Sequence, residues 1–144
     1  MFSKACEYGI RASIYIAQQS LLDKKVNLKD ISEAIESPTA YTSKILQKLS
    51  RNSIINSDKG PTGGFSIDKM KLEKVKLSSI VYAIDGETIF HSCGLGLKQC
   101  NEKIPCPVHQ QFKVIREELK KMIETTSVKS LAMDYEKGLT FLRQ

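Results

Sequence analysis

Between Ser3 and Gln19 apolar residues recur at helical spacing, with Tyr8, Ala12 and Ile16 on one stripe and Ile10, Ile14 and Ala17 beside it. Two adjoining stripes predict a helix packed on more than one side. From Val26 to Ile35 the pattern predicts a short helix: Asn27 suits its N-cap, Asp30 its third position, and Leu28, Ile31 and Ile35 share a face. Ser37 and Pro38 then supply an N-cap and a first-turn proline for another helix, which carries Tyr41, Ile45, Leu46 and Leu49 inward. The result is helix, tight break, helix.

The period changes after Ser53. Ile54–Ser57 and Phe65–Ile67 read as short strands around the Gly/Pro-rich stretch Asp58–Gly64, which makes a hairpin. A further helix, Leu77–Ile84, ends at Asp85-Gly86, where glycine suits the left-handed position. Residues 87–107 show no sustained period. Val108, Phe112, Ile115, Leu119 and Met122 then recur at steps of four, three, four and three, a heptad seam that wants a partner helix. Ser127–Tyr135 forms a last short helix before Gly138 and the apolar tail Leu139, Phe141 and Leu142. The fold class is mainly α with a small β-hairpin wing, and a helix-turn-helix followed by such a hairpin is the outline of a winged helix.

Length and charge narrow the picture. The 144 residues carry 22 Lys+Arg against 16 Asp+Glu, a net charge of +6, with 41% hydrophobic residues. That is enough chain for one core without staples and too little for a large multidomain enzyme. The longest uncharged stretch, Ala12–Leu22, falls short of the ~20 residues needed to span a bilayer. Glu7 and Arg11 interrupt any signal-peptide pattern, so a cytoplasmic protein without membrane partners is expected. No substrate motif, no nucleophile with a histidine partner and no usefully spaced carboxylate pair stands out, which argues against an enzyme.

The basic charge gains weight from its position. Lys44, Lys48, Arg51 and Lys59 lie between Pro38 and Gly64 against only Asp58, whereas Asp23, Asp30, Glu33 and Glu36 precede them. With Ile45 and Leu49 inward, Thr39, Thr42, Ser43, Lys44 and Gln47 point outward, where hydroxyl and amide groups can meet base edges. Lys44, Lys48, Arg51 and Lys59 can pair with phosphates. Gly60, Gly63 and Gly64 let the wing backbone approach a phosphate closely, and they equally suit a tight turn. Tyr41 and Thr62 complete the candidate DNA-contacting set. A nucleotide-binding loop is not indicated, since no Gly-Lys-Ser/Thr follows and the segment lies between strands.

Three of the four cysteines and both histidines fall between His91 and His109. Cys93, Cys100, Cys106 and His109 are a complete soft-ligand set, and in a reducing compartment they suit a metal or cluster better than disulfides. Spacing alone leaves both a structural zinc of the three-Cys, one-His kind and an iron–sulfur cluster open. Cys6, without a nearby cysteine, reads as a core or groove residue, and His91 as a loop histidine.

The opening CEYGIRASIYIA, the run ISEAIESPTAYTSKILQKLSRNSIINSDKGPTGGFSI and the Cys-rich loop before a long helix resemble the IscR/NsrR family of bacterial winged-helix regulators, the Rrf-two family. The resemblance covers nearly the whole chain. It implies a homodimeric transcription factor, usually a repressor, that binds a double-stranded DNA operator and whose long C-terminal helices cross in the dimer. It divides the chain into a DNA-binding domain (1–75), a connecting helix and cluster loop (76–107) and a dimerisation helix with its tail (108–144). Cys93, Cys100 and Cys106 match the family's iron–sulfur ligands, with a first gap of six residues where several members have five. His109 matches the fourth ligand of [2Fe–2S] members, the favoured assignment, and is expected close to Cys106. Glu7 matches the carboxylate that [4Fe–4S] members donate from the other subunit. Such clusters are labile in air, so loss from the isolated protein is expected. The resemblance leaves nitric oxide, oxygen, peroxide and cellular iron–sulfur status open as the signal. Without a cluster, the same cysteines imply a thiol sensor or a zinc site.

Overall fold

The computed structural model describes residues 1–144. α1 (Lys4–Leu21) starts at Ser3, whose hydroxyl accepts from the Cys6 N–H at 3.1 Å, and it fully buries Ala12, Ile16 and Ala17. α2 (Leu28–Ile35) is capped by Asn27, whose side chain accepts from the Asp30 N–H at 2.9 Å. It ends at Glu36, which adopts the left-handed conformation (φ 50°) and turns the chain into α3 (Thr39–Arg51). Pro38 precedes the first helical residue and does not occupy it, and the Ser37 hydroxyl bonds the Thr42 hydroxyl in place of a backbone N–H.

The strands lie closer to the turn than the apolar pattern suggests: the first begins two residues later and the second one residue earlier. β1 (Asn56–Asp58) pairs antiparallel with β2 (Gly64–Ser66), in the register Asn56 with Ser66, Ser57 with Phe65 and Asp58 with Gly64. Ile54 and Ile55 are both buried, which neighbouring residues of one strand cannot achieve on a single face, and the Ile54 N–H closes the end of α3 by donating to the Leu49 carbonyl at 3.0 Å. Ile67 leaves the ladder because its N–H donates to Ser20 Oγ at 2.9 Å. The outer edge of β2 is covered by Val26, which exchanges two backbone hydrogen bonds with Phe65.

After a 3₁₀ turn at Lys69–Lys71, α4 runs over the expected residues Leu77–Ile84, and Gly86 (φ +69°) redirects the chain into a single turn, α5 (Thr88–His91). α6 (His109–Thr125) and α7 (Val128–Glu136) complete the chain, with the Ser127 side chain capping α7. A short antiparallel link, Leu77 N–H to Thr126 O and Val128 N–H to Val75 O, both at 3.0 Å, brings α7 back against α1. One core therefore joins Ile31, Leu46 and Leu49 of the helix-turn-helix to Ile80, Ile123, Val128, Ala132 and Leu142.

α6 is held to that core by Ile123, which lies outside the heptad seam, with Leu119 packed against it; its other buried residue, His109, faces the cysteine loop. Phe112 and Leu119 are half-buried, while Val114, Ile115 and Met122 are 59%, 49% and 46% exposed. No helix is long and apolar enough to cross a membrane.

Candidate DNA interface and cysteine loop

α3 presents Thr39, Lys44, Gln47, Lys48 and Arg51 to solvent, with Ser43 half-buried. Two expectations change. Thr42 is fully buried, its hydroxyl held by the Pro38 carbonyl at 2.9 Å and by Ser37. It shares the inner stripe with Ile45, Leu46 and Leu49, so it fixes the start of α3 and faces away from any groove. Tyr41, expected inward, is 38% exposed at the rim, with its ring edge-on to Tyr8 at 5.7 Å. Tyr8 in turn lies under the Arg11 guanidinium at 4.8 Å. The one sequence signal for this stack is Arg11 as the lone charge between Tyr8 and Leu22.

Lys48 Nζ donates to the Ile84 carbonyl at 3.2 Å, so it closes the C-terminus of α4 as well as facing solvent. Arg51 and Lys59 are exposed, as are Gly60 and Thr62 at the wing tip, where the Gly63 N–H donates to the Gly60 carbonyl at 3.0 Å. A side chain on Gly63 would collide with the Asp58 and Lys59 backbone, so this tight turn excludes any other residue there. The Lys25–Asp58 ion pair (2.7 Å) offsets the wing's one carboxylate. Lys44, Lys48, Arg51 and Lys59 thus form an exposed basic group on α3 and the wing.

The second site is the loop between α5 and α6. Cys93 is buried, and the Leu95 and Leu97 N–H groups turned towards its sulfur, helped by the Cys106 thiol and by Arg116, hold its thiol below the usual range against the opposing effect of burial. Cys100 meets His109 Nδ1 at 3.4 Å and Arg116 Nη2 at 3.1 Å. His109 was expected beside Cys106. Its backbone N–H does donate to the Cys106 carbonyl at 3.0 Å, but its ring turns to Cys100 because the first turn of α6 points it inward. The four side chains thus stand as two neighbouring pairs, Cys93 with Cys106 and Cys100 with His109. No three of the His, Cys, Asp and Glu groups converge on one point.

The other candidates lie apart. Glu7 is ion-paired with Lys4 at 2.9 Å, which keeps its carboxyl below the usual range. Cys6 is fully buried, and burial, with Asp85 nearby, pushes its thiol up to about 12, so it stays protonated in the core. His91 is exposed and faces Glu87 at 3.7 Å. The loop backbone lies directly on α6, where a side chain at Gly94 would run into the Phe112 ring at 2.6 Å. Arg116 was not anticipated; the signal available was a cation two turns after His109 on the same helix face.

Residues 2–134 match the family model Rrf2, described as an iron-dependent transcriptional regulator. The chain belongs to the Rrf2 family. This Rrf2 chain is 27% identical, over 96% of both chains, to a protein of Aquifex aeolicus classed among the HTH-type transcriptional regulators. It is 24% identical to the HTH-type transcriptional regulator IscR of Photorhabdus laumondii, over 90% of this chain and 77% of the relative. Among solved structures, its fold is similar to that of CymR (YrzC), the global cysteine regulator of B. subtilis (TM-score 0.73, 17% identity, 92% of this chain and 96% of the other). It is similar also to that of IscR from T. potens (TM-score 0.72, 15% identity, 97% and 91%). Those likenesses establish the winged-helix fold, and the family is one of DNA-binding transcriptional regulators, not of enzymes.

For this Rrf2 regulator, log affinity for DNA is expected to fall steeply and linearly with log salt, because Lys44, Arg51 and Lys59 are exposed cations able to displace phosphate counterions. Fluorescence anisotropy over a salt series measures the slope. Each of Lys44→Gln, Arg51→Gln and Lys59→Gln is expected to reduce it by about one, whereas Lys48→Gln, already engaged with Ile84, is expected to change it least.

Proposed function

We propose that this protein is a homodimeric operator-binding repressor whose DNA affinity is switched by an iron–sulfur cluster held by Cys93, Cys100, Cys106 and His109. The observation that carries the reading is His109: its ring is only 4% exposed, its Nδ1 lies beside the Cys100 sulfur, and its Nε2 is buried with no hydrogen-bond partner. A buried imidazole nitrogen left unpaired costs free energy unless something binds it. With three thiols in the same loop, the donor set suits iron with sulfide, and a histidine favours [2Fe–2S] over [4Fe–4S]. Glu7, occupied by Lys4 within its own chain, is the weaker candidate for fourth ligand.

When bound, such a cluster supplies reactivity towards oxidants and nitric oxide. The protein's own part is mechanical. Cys93 and Gly94 pack on α6 at Phe112, and α5 joins the loop to α4, whose last carbonyl holds Lys48 of α3. A change in the loop therefore reaches both the helix that faces the second subunit and the helix that faces DNA. The two recognition helices of a dimer must meet half-sites about one helical turn apart, ~34–36 Å, so a small reorientation changes affinity strongly. Thr39, Tyr41, Ser43, Lys44 and Gln47 are assigned to the major groove, and Arg51, Lys59, Gly60, Thr62, Gly63 and Gly64 to the backbone beside it.

The test is anaerobic purification with iron and sulfide analysis. A brown protein is expected, and Cys93→Ala, Cys100→Ala or Cys106→Ala should remove the colour and leave the dimer. His109→Ala should lower cluster retention. Retained colour in all three cysteine variants would falsify the ligand assignment. A second reading is favoured by one feature, the Cys106 thiol near enough to Cys93 to help hold its thiol below the usual range. It makes the loop a thiol switch in which peroxide takes two electrons and two protons from the two thiols, which close to a disulfide while the peroxide leaves as two waters. A colourless, metal-free protein whose DNA affinity still changes with peroxide selects it, and a colourless protein with stoichiometric zinc selects a structural site.

A further inference from the structure

One guanidinium holds the cysteine loop in two places. Arg116 of α6 donates from Nη1 to the Ser92 carbonyl at 3.1 Å and from Nη2 to the Cys100 sulfur at 3.1 Å. Ser92 opens the loop and Cys100 stands in its middle. His109, whose Nδ1 is 3.4 Å from the same sulfur, sits seven residues before Arg116 on the same helix, about two turns away. The Cys100 sulfur is thus shared between two groups on one face of α6.

The rest of the loop has few other long-range ties. Leu95, Leu97 and Ile104 are 54%, 55% and 79% exposed, so the loop has no apolar core of its own. Gly96 N–H to Cys93 O and Lys103 N–H to Asn101 Oδ1 are local hydrogen bonds. The Lys113–Glu102 pair (2.6 Å) is exposed, a class of contact that contributes little. Beyond the packing of Cys93 and Gly94 on α6 and the neighbouring pairs Cys93 with Cys106 and Cys100 with His109, Arg116 is the one side chain that ties the loop's first end and its middle together. Arginine suits the task because its planar fork reaches two acceptors at once, which a lysine ammonium on a flexible stem does not hold in fixed geometry.

We propose that Arg116 is the positioning residue of the cysteine loop, strapping its first end and its middle to α6, and that its hydrogen bond to Cys100 tunes the group this sulfur ligates. The strap stands on geometry alone; the tuning rests on the cluster reading above. A cation donating to a ligating sulfur favours the more negative, reduced state of a cluster, so its removal lowers the reduction potential.

The experiment compares full-length wild type, R116Q and R116K. In the reduced, metal-free proteins, hydrogen exchange at Leu95, Gly96 and Leu97 is expected to be about tenfold faster in R116Q, the factor that follows from losing hydrogen bonds to a charged donor. Peptides from α1 and α3 should stay unchanged. After anaerobic reconstitution, the potential of R116Q should lie below wild type, with R116K restoring part of the shift because it keeps the charge. Unchanged loop exchange overturns the strap, whatever the colour of the protein. Faster exchange with a wild type that takes up no iron supports the strap and removes the cluster reading. Iron-loaded wild type and R116Q with equal potentials overturn the tuning. Should R116Q fail to fold, R116K decides: faster loop exchange supports the strap and unchanged exchange overturns it.

Discussion

Ile115→Glu is expected to convert the proposed dimer to a monomer and to weaken operator binding by at least about a hundredfold, the lower range of what bivalent binding adds over one module. Ile115 is 49% exposed in the single chain, flanked by Val114 at 59% and, two turns along the seam, Met122 at 46%. A helix of 17 residues that buries only two of its own has an apolar face left for a partner. A carboxylate at the centre of that face would have to lose its hydration or keep the subunits apart, and separation is the cheaper outcome. Because Ile115 is not in the core of its own chain, thermal stability should change little at monomer concentrations. Analytical ultracentrifugation with operator titration measures both effects, with Ile115→Leu as the control that stays dimeric. A dimeric Ile115→Glu protein with unaltered affinity removes α6 from the interface.

The second large effect is expected at Arg11. Its Nη1 donates to the Ile35 carbonyl at 2.9 Å and the Leu142 carbonyl at 3.1 Å, and its guanidinium lies 4.8 Å from the Tyr8 ring. One side chain therefore joins α1, the end of α2, the C-terminal tail and, through Tyr8, Tyr41 of the recognition helix. Arg11→Met keeps much of the aliphatic volume and leaves two carbonyls without their donor. Each costs about 1–2 kcal/mol, and the lost cation–π contact adds about 0.5–1 kcal/mol. The expected total is about 3 kcal/mol, read by urea unfolding, with a Tm lower by roughly 10 °C. Operator affinity should fall severalfold at temperatures where the variant is fully folded, because Tyr41 loses its support. A variant as stable as wild type would show that water takes over both carbonyls at no cost.

Local sequence decided most of the elements. Asn27 and Ser127 cap α2 and α7 because a short side-chain acceptor satisfies N–H groups that have no partner in the helix. α4 falls on its expected residues because Leu77, Ile80 and Val81 repeat at helical period and Gly86 can take positive φ. The strand boundaries were not legible. Ile54 and Ile55 have strand character, yet the end of α3 and the core claim them first, and pairing begins only at Asn56. Thr42 was misplaced for a related reason: a hydroxyl suits a groove as well as a helix start, and only the neighbouring Ser37 and Pro38 carbonyl settle which it serves.

For the candidate sites the division is similar. That Cys93, Cys100, Cys106 and His109 lie together in one segment, and that the exposed cations follow Pro38, was determined by the sequence, since a soft-ligand set within a short loop and a charged helix face are linear patterns. Which thiol meets His109, that its Nε2 is left buried and unpaired, that Lys48 closes α4, and that Arg116 joins Ser92 to Cys100 were decided only by the tertiary structure. Those contacts link residues on separate elements, and their partners depend on how α6 and the loop settle against the core around Phe112 and Ile123, which no local period encodes.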